Sequence, residues 1–176
     1  MKYREFSDLG WKVSEIGIGC WAIGSEWGNV SPKDAKEALY TSLDNGVNFF
    51  DTADVYGDGR SEKFIGEVLK NAKDKIYVAT KAGRRLNPHN PDGYNLKNIE
   101  NFIDRSLLNL GVDVIDLLQL HCPPSSICGK KETYEMMDEI VKRGKIRYYG
   151  VSVEKVSEAM DAIKFPNVKS IQIIFN

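Results

Sequence analysis

Four side chains in this sequence have the chemical types needed to hand a proton to a carbonyl oxygen: a carboxylate, a phenol, an amine and an imidazole. Asp51 ends one apolar, β-type run, and Tyr56 follows five positions later beside a glycine-rich turn. Lys81 and His121 end two later runs of the same kind. Parallel strands buried on both faces read as unbroken apolar runs, so a polar residue at the end of such a run marks the rim of the sheet. We therefore expect these four residues on one rim.

The chemistry that such a set supports is proton donation during carbonyl reduction. Hydride transfer to a carbonyl places negative charge on its oxygen, so a proton donor must lie within hydrogen-bond reach. Tyr56 is the candidate acid, but a free phenol has a pKa of about 10 and needs a nearby cation that favours the phenolate. Lys81 would supply that cation, and Asp51 would keep the amine protonated in a partly dry pocket. His121 would donate to the carbonyl oxygen or orient it.

Each of the four residues also has a structural interpretation. Tyr56 could simply cap a turn, and Lys81 with Asp51 could form an ion pair without a catalytic role. His121, which precedes a Cys-Pro-Pro sequence, could be a hydrogen-bonded loop residue. Their joint placement at the ends of successive strands favours the catalytic hypothesis.

Other ionisable residues are interpreted as structural or exposed. Asp116 lies within a β-type run, where we expect a buried carboxylate with its hydrogen bonds satisfied, and His89 lies between two prolines, where we expect exposure to solvent. A basic group near the end of a helical pattern would complement the helix dipole. It consists of Lys142, Arg143, Lys145 and Arg147.

The composition is that of an ordinary globular protein, with 42% hydrophobic residues, 28% charged residues and a net charge of −1 over 176 residues. This balance gives no reason to expect nucleic acid or an anionic membrane as a partner, and no stretch approaches the roughly 20 apolar residues of a membrane span. The N-terminus lacks the apolar segment of a signal peptide, so we expect a cytoplasmic location. The cysteines are odd in number and widely spaced, which argues against a disulfide framework; they are Cys20, Cys122 and Cys128. The last two lack a second pair at zinc-finger spacing, which argues against a metal site.

Six β-type runs alternate with helical patterns after a short N-terminal hairpin. The runs are Ile16–Trp21, Val47–Thr52, Ile76–Lys81, Val114–His121, Ile146–Ser152 and Lys169–Phe175. They begin roughly 30 residues apart, which is the length of a strand–helix unit, so the alternation predicts an α/β fold with a parallel sheet. No Gly-x-Gly-x-x-Gly follows the first run, and polar residues end several strands. Both features favour a TIM-barrel-type (β/α)8 fold over a doubly wound sheet.

The helical patterns carry start and stop signals. Ser31 is a candidate N-cap, Pro32 occupies the first helical position, and Gly46 is a candidate left-handed C-terminal cap. Ser61 is expected to open the second helix, and Gly111 to end the third.

The number of strands falls short of a closed barrel. Such a barrel needs eight strands and typically about 250 residues, whereas this sequence has six runs and ends on the last of them. An open edge there would expose unpaired backbone groups. We expect either that the chain is part of a longer gene product or that a second copy covers the edge as a homo-oligomer.

Several motifs resemble those of the aldo-keto reductase family, in the family's order and spacing and over nearly the whole chain. They are Asp51-Thr52-Ala53 with Tyr56-Gly57, Ser61-Glu62, Ala79-Thr80-Lys81, the stretch from Asp113 to His121, Arg143-Gly144-Lys145-Ile146-Arg147, and Gly150-Val151-Ser152. The resemblance implies a (β/α)8 barrel that reduces small-molecule carbonyl compounds with NADPH. It implies Tyr56 as the general acid, tuned by Lys81 and Asp51. His121 is then the residue that orients the carbonyl.

The resemblance also implies a site for NADP. Ser152 and Gln172 match the family's contacts to the nicotinamide carboxamide, while Trp21 and Asp51 border the cofactor. Where the family usually has an asparagine after this serine, the sequence has Val153. The family's later strands, which grip the adenosine and its 2′-phosphate, have no counterpart. Residues 1–176 are therefore expected to form one domain that is C-terminally truncated relative to the family.

Two other function classes compete with the reductase hypothesis. A non-catalytic binding or regulatory protein on the same fold, comparable to channel-associated β subunits, would not need all four residues of the proton-donor set. An isomerase or lyase with a Schiff-base lysine would need a neutral amine. That class is disfavoured because Asp51 would hold Lys81 protonated.

Overall fold

The computed structural model describes residues 1–6, 9–24 and 28–175. Within these ranges an N-terminal hairpin precedes six strands that alternate with helices. The strands are β1 (Tyr3–Phe6), β2 (Trp11–Ser14), β3 (Ile18–Gly19), β4 (Phe49–Asp51), β5 (Tyr77–Ala82), β6 (Ile115–His121), β7 (Ile146–Ser152) and β8 (Val168–Gln172). The helices are α1 (Pro32–Asp44), α2 (Arg60–Asn71), α3 (Leu96–Leu110), α4 (Ser125–Cys128), α5 (Lys131–Lys142) and α6 (Val156–Ala162), with 3-10 turns at Ala22–Gly24 and Pro91–Gly93.

Strands β3 to β8 form one parallel sheet in the order in which they occur along the chain. This sequential order with helices in the connections is that of a (β/α)8 barrel, here with six strands. The register aligns the polar strand ends, because His121 pairs with Ser152 and Ser152 pairs with Gln172. The predicted α/β fold with a parallel sheet is confirmed.

The first, second and last predicted strand runs are longer than the observed strands, and of the second run, Val47–Thr52, only Phe49–Asp51 is strand. Only Ile18–Gly19 of the first run pairs with β4, because the chain then turns into the 3-10 segment that begins at Ala22. The last strand begins at Val168 and ends at Gln172, so the apolar residues that follow it lie outside the sheet.

Helix α1 has the predicted caps. The Ser31 hydroxyl accepts a hydrogen bond from the backbone amide of Asp34 at 3.1 Å, and Pro32 begins the helix. After its last turn the chain passes through Gly46, whose φ of +82° is in the left-handed region that favours glycine. Buried Ala35 and Leu39 attach the helix to the sheet.

Ser61 does not open α2, contrary to the prediction. The helix begins at Arg60, and its N-cap is Gly59 with a φ of +87°. The Ser61 hydroxyl instead donates to the carbonyl oxygen of Cys20 at 2.9 Å and lies 2.8 Å from the Thr52 hydroxyl. This serine therefore connects the first turn of the helix to the ends of two strands.

Apolar side chains fill the space between the sheet and its helices. The largest that are fully buried include Phe50, Leu39, Ile65, Ile99, Ile103, Leu110 and Tyr149. This core is continuous along the helix-covered face, and it holds the strands in register beneath the polar ends.

The N-terminal hairpin covers part of the opposite face of the sheet. Trp11 stacks on Tyr77 with ring centroids 4.6 Å apart and meets Tyr148 edge-on at 5.3 Å. Ala79 and Leu117 belong to the same apolar cluster. The hairpin is also bonded to the chain before β4, because the Asn48 amide donates to the carbonyl oxygen of Lys12 at 2.9 Å.

The basic group after α5 makes ion pairs with neighbouring elements. Arg143 contacts Glu100 of α3 at 3.0 Å, and Lys145 contacts Asp104 at 2.6 Å. These partly exposed pairs contribute about 0–1 kcal/mol each. They connect α3 to the residues that lead into β7.

Strands β3 and β8 form the two edges of the sheet. Beyond β8, the side chain of Ile174 is 79% exposed and that of Phe175 is fully exposed. In the part of the chain that the structure describes, no helix has the length and apolar character needed to cross a membrane.

Replacing Trp11 with alanine tests the hairpin packing. Because the ring is 7% exposed and contacts aromatic residues of two strands, we expect Trp11→Ala to lower the free energy of unfolding by about 3–5 kcal/mol. Urea denaturation measures this loss. Leu108, which is 83% exposed on α3, provides the control: Leu108→Ala should cost about 0.5 kcal/mol or less. Equal losses for the two variants would contradict the packing described here.

Candidate active site

The four candidate residues Asp51, Tyr56, Lys81 and His121 lie together at the carboxyl end of the sheet. Asp51 ends β4, Lys81 lies near the end of β5, and His121 ends β6. Tyr56 lies in the turn between β4 and α2, where its backbone amide donates to the carbonyl oxygen of Ala53 at 3.1 Å. The strand ends thus supply three of the residues and a connecting turn supplies the fourth.

The turn that carries Tyr56 is held against the segment before α1. Gly57 has a φ of +58°. A Cβ atom at this position would clash with the carbonyl oxygen of Gly24. A Cβ on Gly24 would in turn meet the backbone of Tyr56 at 2.8 Å. Only glycines allow the two backbones to approach this closely.

Residues in the first turn of α2 stabilise the loop that carries Tyr56. Glu62 is fully buried and accepts hydrogen bonds from the Thr80 hydroxyl at 2.6 Å and the Asn109 amide at 2.9 Å. Ser61 adds its bond to Cys20. These contacts connect β5, α3 and the end of β3 to the residues that follow Tyr56.

Lys81 and Asp51 form an ion pair in which the lysine is buried and the aspartate is 21% exposed. The Lys81 Nζ donates to Asp51 Oδ1 at 2.7 Å and to the carbonyl oxygen of Thr52 at 2.8 Å, and the lysine side chain is 2% exposed. Removing a charge from water is costly unless it is paired and hydrogen-bonded. Both conditions are met for this ammonium group.

The ammonium group lies close to the candidate acid. The distance from Lys81 Nζ to the centroid of the Tyr56 ring is 5.3 Å. His121 meets the same ring edge-on, with centroids 5.9 Å apart and an interplanar angle of 86°. The centroid of the Trp21 ring lies 6.4 Å from that of Tyr56. A cation, an imidazole and an indole are therefore neighbours of the phenol ring.

His121 is neutral over the physiological range. Burial, followed by the positive charges of Lys81 and Arg84 and by His89, lowers the pKa of His121 to about 3. Its Nδ1 is buried and has no hydrogen-bond partner among the described residues. A neutral imidazole carries one N–H group. This side chain can therefore donate a hydrogen bond without transferring a proton.

An open cavity of about 780 Å³ lies beside these residues. Tyr56, Lys81 and His121 form one side of it, and Ser152 and Gln172 line it from β7 and β8. Gln172 Oε1 is buried without a hydrogen-bond partner among the described residues. An amide donor from a bound molecule would satisfy this oxygen. Trp21 also lines the cavity.

Asp54 is an unusual residue that the sequence did not single out. It is fully buried, and neither carboxylate oxygen makes a well-formed hydrogen bond within the described ranges. Burial and then the nearby carboxylate of Glu62 raise the pKa of Asp54 to about 7, against the opposing charges of Arg85 and Arg105. The sequence did not indicate this burial, because a carboxylate in a turn between a strand and a helix is usually exposed.

Three sequence expectations about other residues have clear outcomes. Asp116 accepts hydrogen bonds from Lys75 at 2.8 Å and from the Val78 amide at 3.2 Å, which confirms the satisfied, buried carboxylate. The prediction that His89 is solvent-exposed is wrong, because its ring is partly buried and its Nε2 lies 2.8 Å from the Tyr94 hydroxyl. The cysteines are all free thiols, as expected.

The cavity also contains a cysteine that sequence reasoning did not connect with the site. Cys122 follows His121 and has a φ of +45°, an uncommon conformation for a residue with a side chain. Burial raises the pKa of its thiol.

In the described ranges no group of three or more His, Cys, Asp or Glu side chains is arranged to hold a metal ion.

Comparison with known proteins identifies similar sequences. The sequence model of the Aldo/keto reductase family matches residues 15–176. Aldo-keto reductase YhdN from Bacillus subtilis (strain 168) is 36% identical over 170 residues, which are 93% of this chain and 50% of the relative. A probable voltage-gated potassium channel subunit beta from Arabidopsis thaliana is 32% identical over 169 residues, with 92% and 50% of the two chains covered. The chain spans about half the length of the curated relatives it matches.

Solved structures with the same fold support the comparison. The holo form of an aldo-keto reductase from Bacillus halodurans superposes with a TM-score of 0.84 at 32% identity, covering 99% of this chain and 58% of the other. An aldo-keto reductase from Klebsiella pneumoniae in complex with NADPH has a TM-score of 0.80 at 24% identity, with 99% and 58% covered. The second likeness supports the fold alone.

Titration of His121 tests the electrostatics of the cavity. With a pKa of about 3, its imidazole proton resonances should keep their neutral positions between about pH 8 and about pH 5, where an unperturbed histidine titrates. NMR of the chain measures this, and the chain has two histidines, so His89→Gln assigns the remaining signals. A midpoint near the ordinary histidine value would contradict the proposed environment.

Asp54 should make the protein less stable as the pH rises. The unfolded carboxyl ionises near 3.8 and the folded one near 7, so between these values the folded state holds a proton that the unfolded state has lost. The stability from this group is thus complete below about pH 4 and lost by about pH 7, a difference of up to about 4 kcal/mol.

Urea denaturation of wild type and Asp54→Asn at about pH 5 and about pH 8 measures the effect. Because the amide does not ionise, the advantage of the variant over wild type should be larger at the higher pH. Asp44→Asn, at an exposed end of α1, is the control and should show no such change. A pH-independent difference for Asp54→Asn would contradict the assigned pKa.

Proposed function

The chain belongs to the aldo/keto reductase family, and we propose that it reduces aldehydes or ketones to alcohols with NADPH as the hydride donor and Tyr56 as the general acid. The observation that carries this proposal is the buried Lys81, paired with Asp51 and lying beside the Tyr56 ring on the wall of an open cavity. A structural ion pair would not need a phenol and a neutral imidazole next to it.

Proton transfer in this proposal starts at Tyr56. When the carbonyl oxygen gains negative charge, the phenol gives up its proton and becomes a phenolate. The Lys81 ammonium stabilises that phenolate, and Asp51 keeps the amine protonated through its 2.7 Å contact. The uncharged His121 donates a hydrogen bond to the same carbonyl oxygen and so orients the substrate toward the phenol.

The cavity residues fit a nicotinamide cofactor. When bound, NADPH supplies the hydride. Gln172 Oε1, which has no partner among the described residues, would accept from the carboxamide N–H group, and the Ser152 hydroxyl would contact the same group. Val153 cannot add an amide contact, because its side chain is apolar and 4% exposed. Asp51 and Trp21 would border the cofactor, as the sequence resemblance implies.

The names of related proteins support this chemistry. Related sequences include a 6-dehydroglucose reductase from Novosphingobium aromaticivorans and an NADP(+) aldo-keto reductase from Schizosaccharomyces pombe. The first reaction to test is therefore the reduction of a carbonyl compound to an alcohol with NADPH.

A second candidate function is binding or regulation without turnover. It is favoured by the similarity to probable potassium channel β subunits at 30–32% identity. The two candidates differ in one respect that can be measured. A regulatory protein could bind NADPH without turnover, whereas the reductase must consume it with a carbonyl substrate present.

We also propose that a second copy covers the exposed side of β8. Its residues are only partly buried, and the apolar side chains of Ile174 and Phe175 are exposed. Mass measurement by light scattering at several concentrations tests this association. A monomer at all concentrations would contradict it.

A cytoplasmic location is proposed as well, because free thiols persist in a reducing compartment.

Replacement of Tyr56 tests the proposed function. We expect Tyr56→Phe to lower the turnover of an aldehyde by about 10²–10⁴-fold, the usual contribution of a general acid, with NADPH binding retained. NADPH consumption measures turnover, and quenching of protein fluorescence measures binding. Tyr40→Phe, which alters an exposed tyrosine on α1, is the matched control and should be unaffected. Full activity of Tyr56→Phe would refute the acid role, and binding without turnover in the wild type would support the regulatory candidate.

A further inference from the structure

Two adjacent arginines follow β5, and only one of them is engaged. Arg85 donates to the carbonyl oxygen of Asp54 at 3.3 Å and pairs with Asp58 at 2.7 Å. Arg84 is exposed and lines the cavity beside Tyr56 and His121. Across the described ranges, Arg84 forms neither a hydrogen bond nor an ion pair. Its guanidinium group is therefore available to a ligand.

The loop that carries Arg84 is anchored at its start. Gly83 has a φ of +109°, and a Cβ placed on it would meet the Tyr94 ring at 2.8 Å. Tyr94 is 7% exposed, and its hydroxyl lies 2.8 Å from His89 Nε2. Because Tyr94 packs against this glycine, it restrains the backbone just before Arg84, which lies two positions after the end of β5 and three positions after Lys81.

The other charges that line the cavity leave a positive side. Lys81 is neutralised by Asp51 at 2.7 Å, whereas Arg84 pairs with no carboxylate of the described ranges. Glu154, which follows β7, lies on the cavity wall at a different strand end. Arg84 lowers the pKa of both His121 and Cys122, while Glu154 raises that of Cys122. The cation is therefore close enough to act on the residue that would orient the carbonyl.

We propose that Arg84 is a specificity-determining residue that binds the carboxylate of small carbonyl substrates, so that aldehydes or ketones carrying an acid group are preferred over neutral ones. A guanidinium group pairs with a carboxylate through two parallel hydrogen bonds, which fixes orientation as well as affinity. The aldehyde or ketone carbon would then be held toward Tyr56 and His121. This inference rests on the proposed reductase function for its substrate class.

A matched pair of aldehydes separates charge from shape. The probes are 4-formylbenzoate, which carries a carboxylate, and its methyl ester, which does not. We expect the ratio of the kcat/KM values for acid and ester to fall by about 10-fold or more in Arg84→Gln, the effect of losing a hydrogen bond to a charged group. Lys97→Gln removes an exposed cation of α3 that does not line the cavity, and its ratio should equal that of the wild type. An unchanged ratio in Arg84→Gln would overturn the proposal.

Calorimetric titration of the full chain with 4-formylbenzoate gives a readout that needs no turnover. We expect weaker binding in Arg84→Gln by about 10-fold and tighter binding in Glu154→Gln, because the second change removes a repulsive carboxylate. If neither aldehyde is reduced, the reductase function fails, yet Arg84-dependent binding would still support the carboxylate subsite. Equal affinity in wild type and Arg84→Gln, or no binding to either, would overturn it even if both aldehydes were reduced normally.

Discussion

The organisation of this site depends on keeping one ammonium charge out of water. Lys81 is 2% exposed, and among the residues that the structure describes its hydrogen bonds go to the carboxylate of Asp51 and the carbonyl oxygen of Thr52, which offset the cost of its desolvation. Both partners come from the end of β4, so the pairing of β4 with β5 sets the position of the charge. Without that strand pairing, the phenol of Tyr56 would lack the cation 5.3 Å from its ring.

Much of this arrangement was evident from the sequence because it depends on local patterns. Apolar runs that end in polar residues identified the strands and their carboxyl ends, and Ser31 with Pro32 identified the start of α1. The elements with clear patterns were long, or had caps that act within one turn. The shortest strand, Ile18–Gly19, was overestimated because its neighbours are also apolar although the chain turns away from the sheet.

What the sequence missed depends on contacts between distant segments. Ser61 looks like a helix N-cap, but its hydroxyl bonds to Cys20, which lies 41 positions earlier. His89 looks exposed between prolines, yet Tyr94 folds back onto it. Asp54 and Arg84 have ordinary surroundings in the sequence, but Asp54 is fully buried, and Arg84 has no hydrogen bond or ion pair with any residue that the structure describes. Patterns of residue type do not encode such pairings.

The buried first turn of α2 gives the cavity two unequal walls. Glu62 joins that turn to β5 and α3, so the side of the cavity that carries Tyr56 is braced by hydrogen bonds across several elements. The opposite side ends in Ile173 and Ile174, and the latter is 79% exposed. A molecule in the cavity would therefore meet side chains held by hydrogen bonds on one wall and exposed apolar side chains on the other.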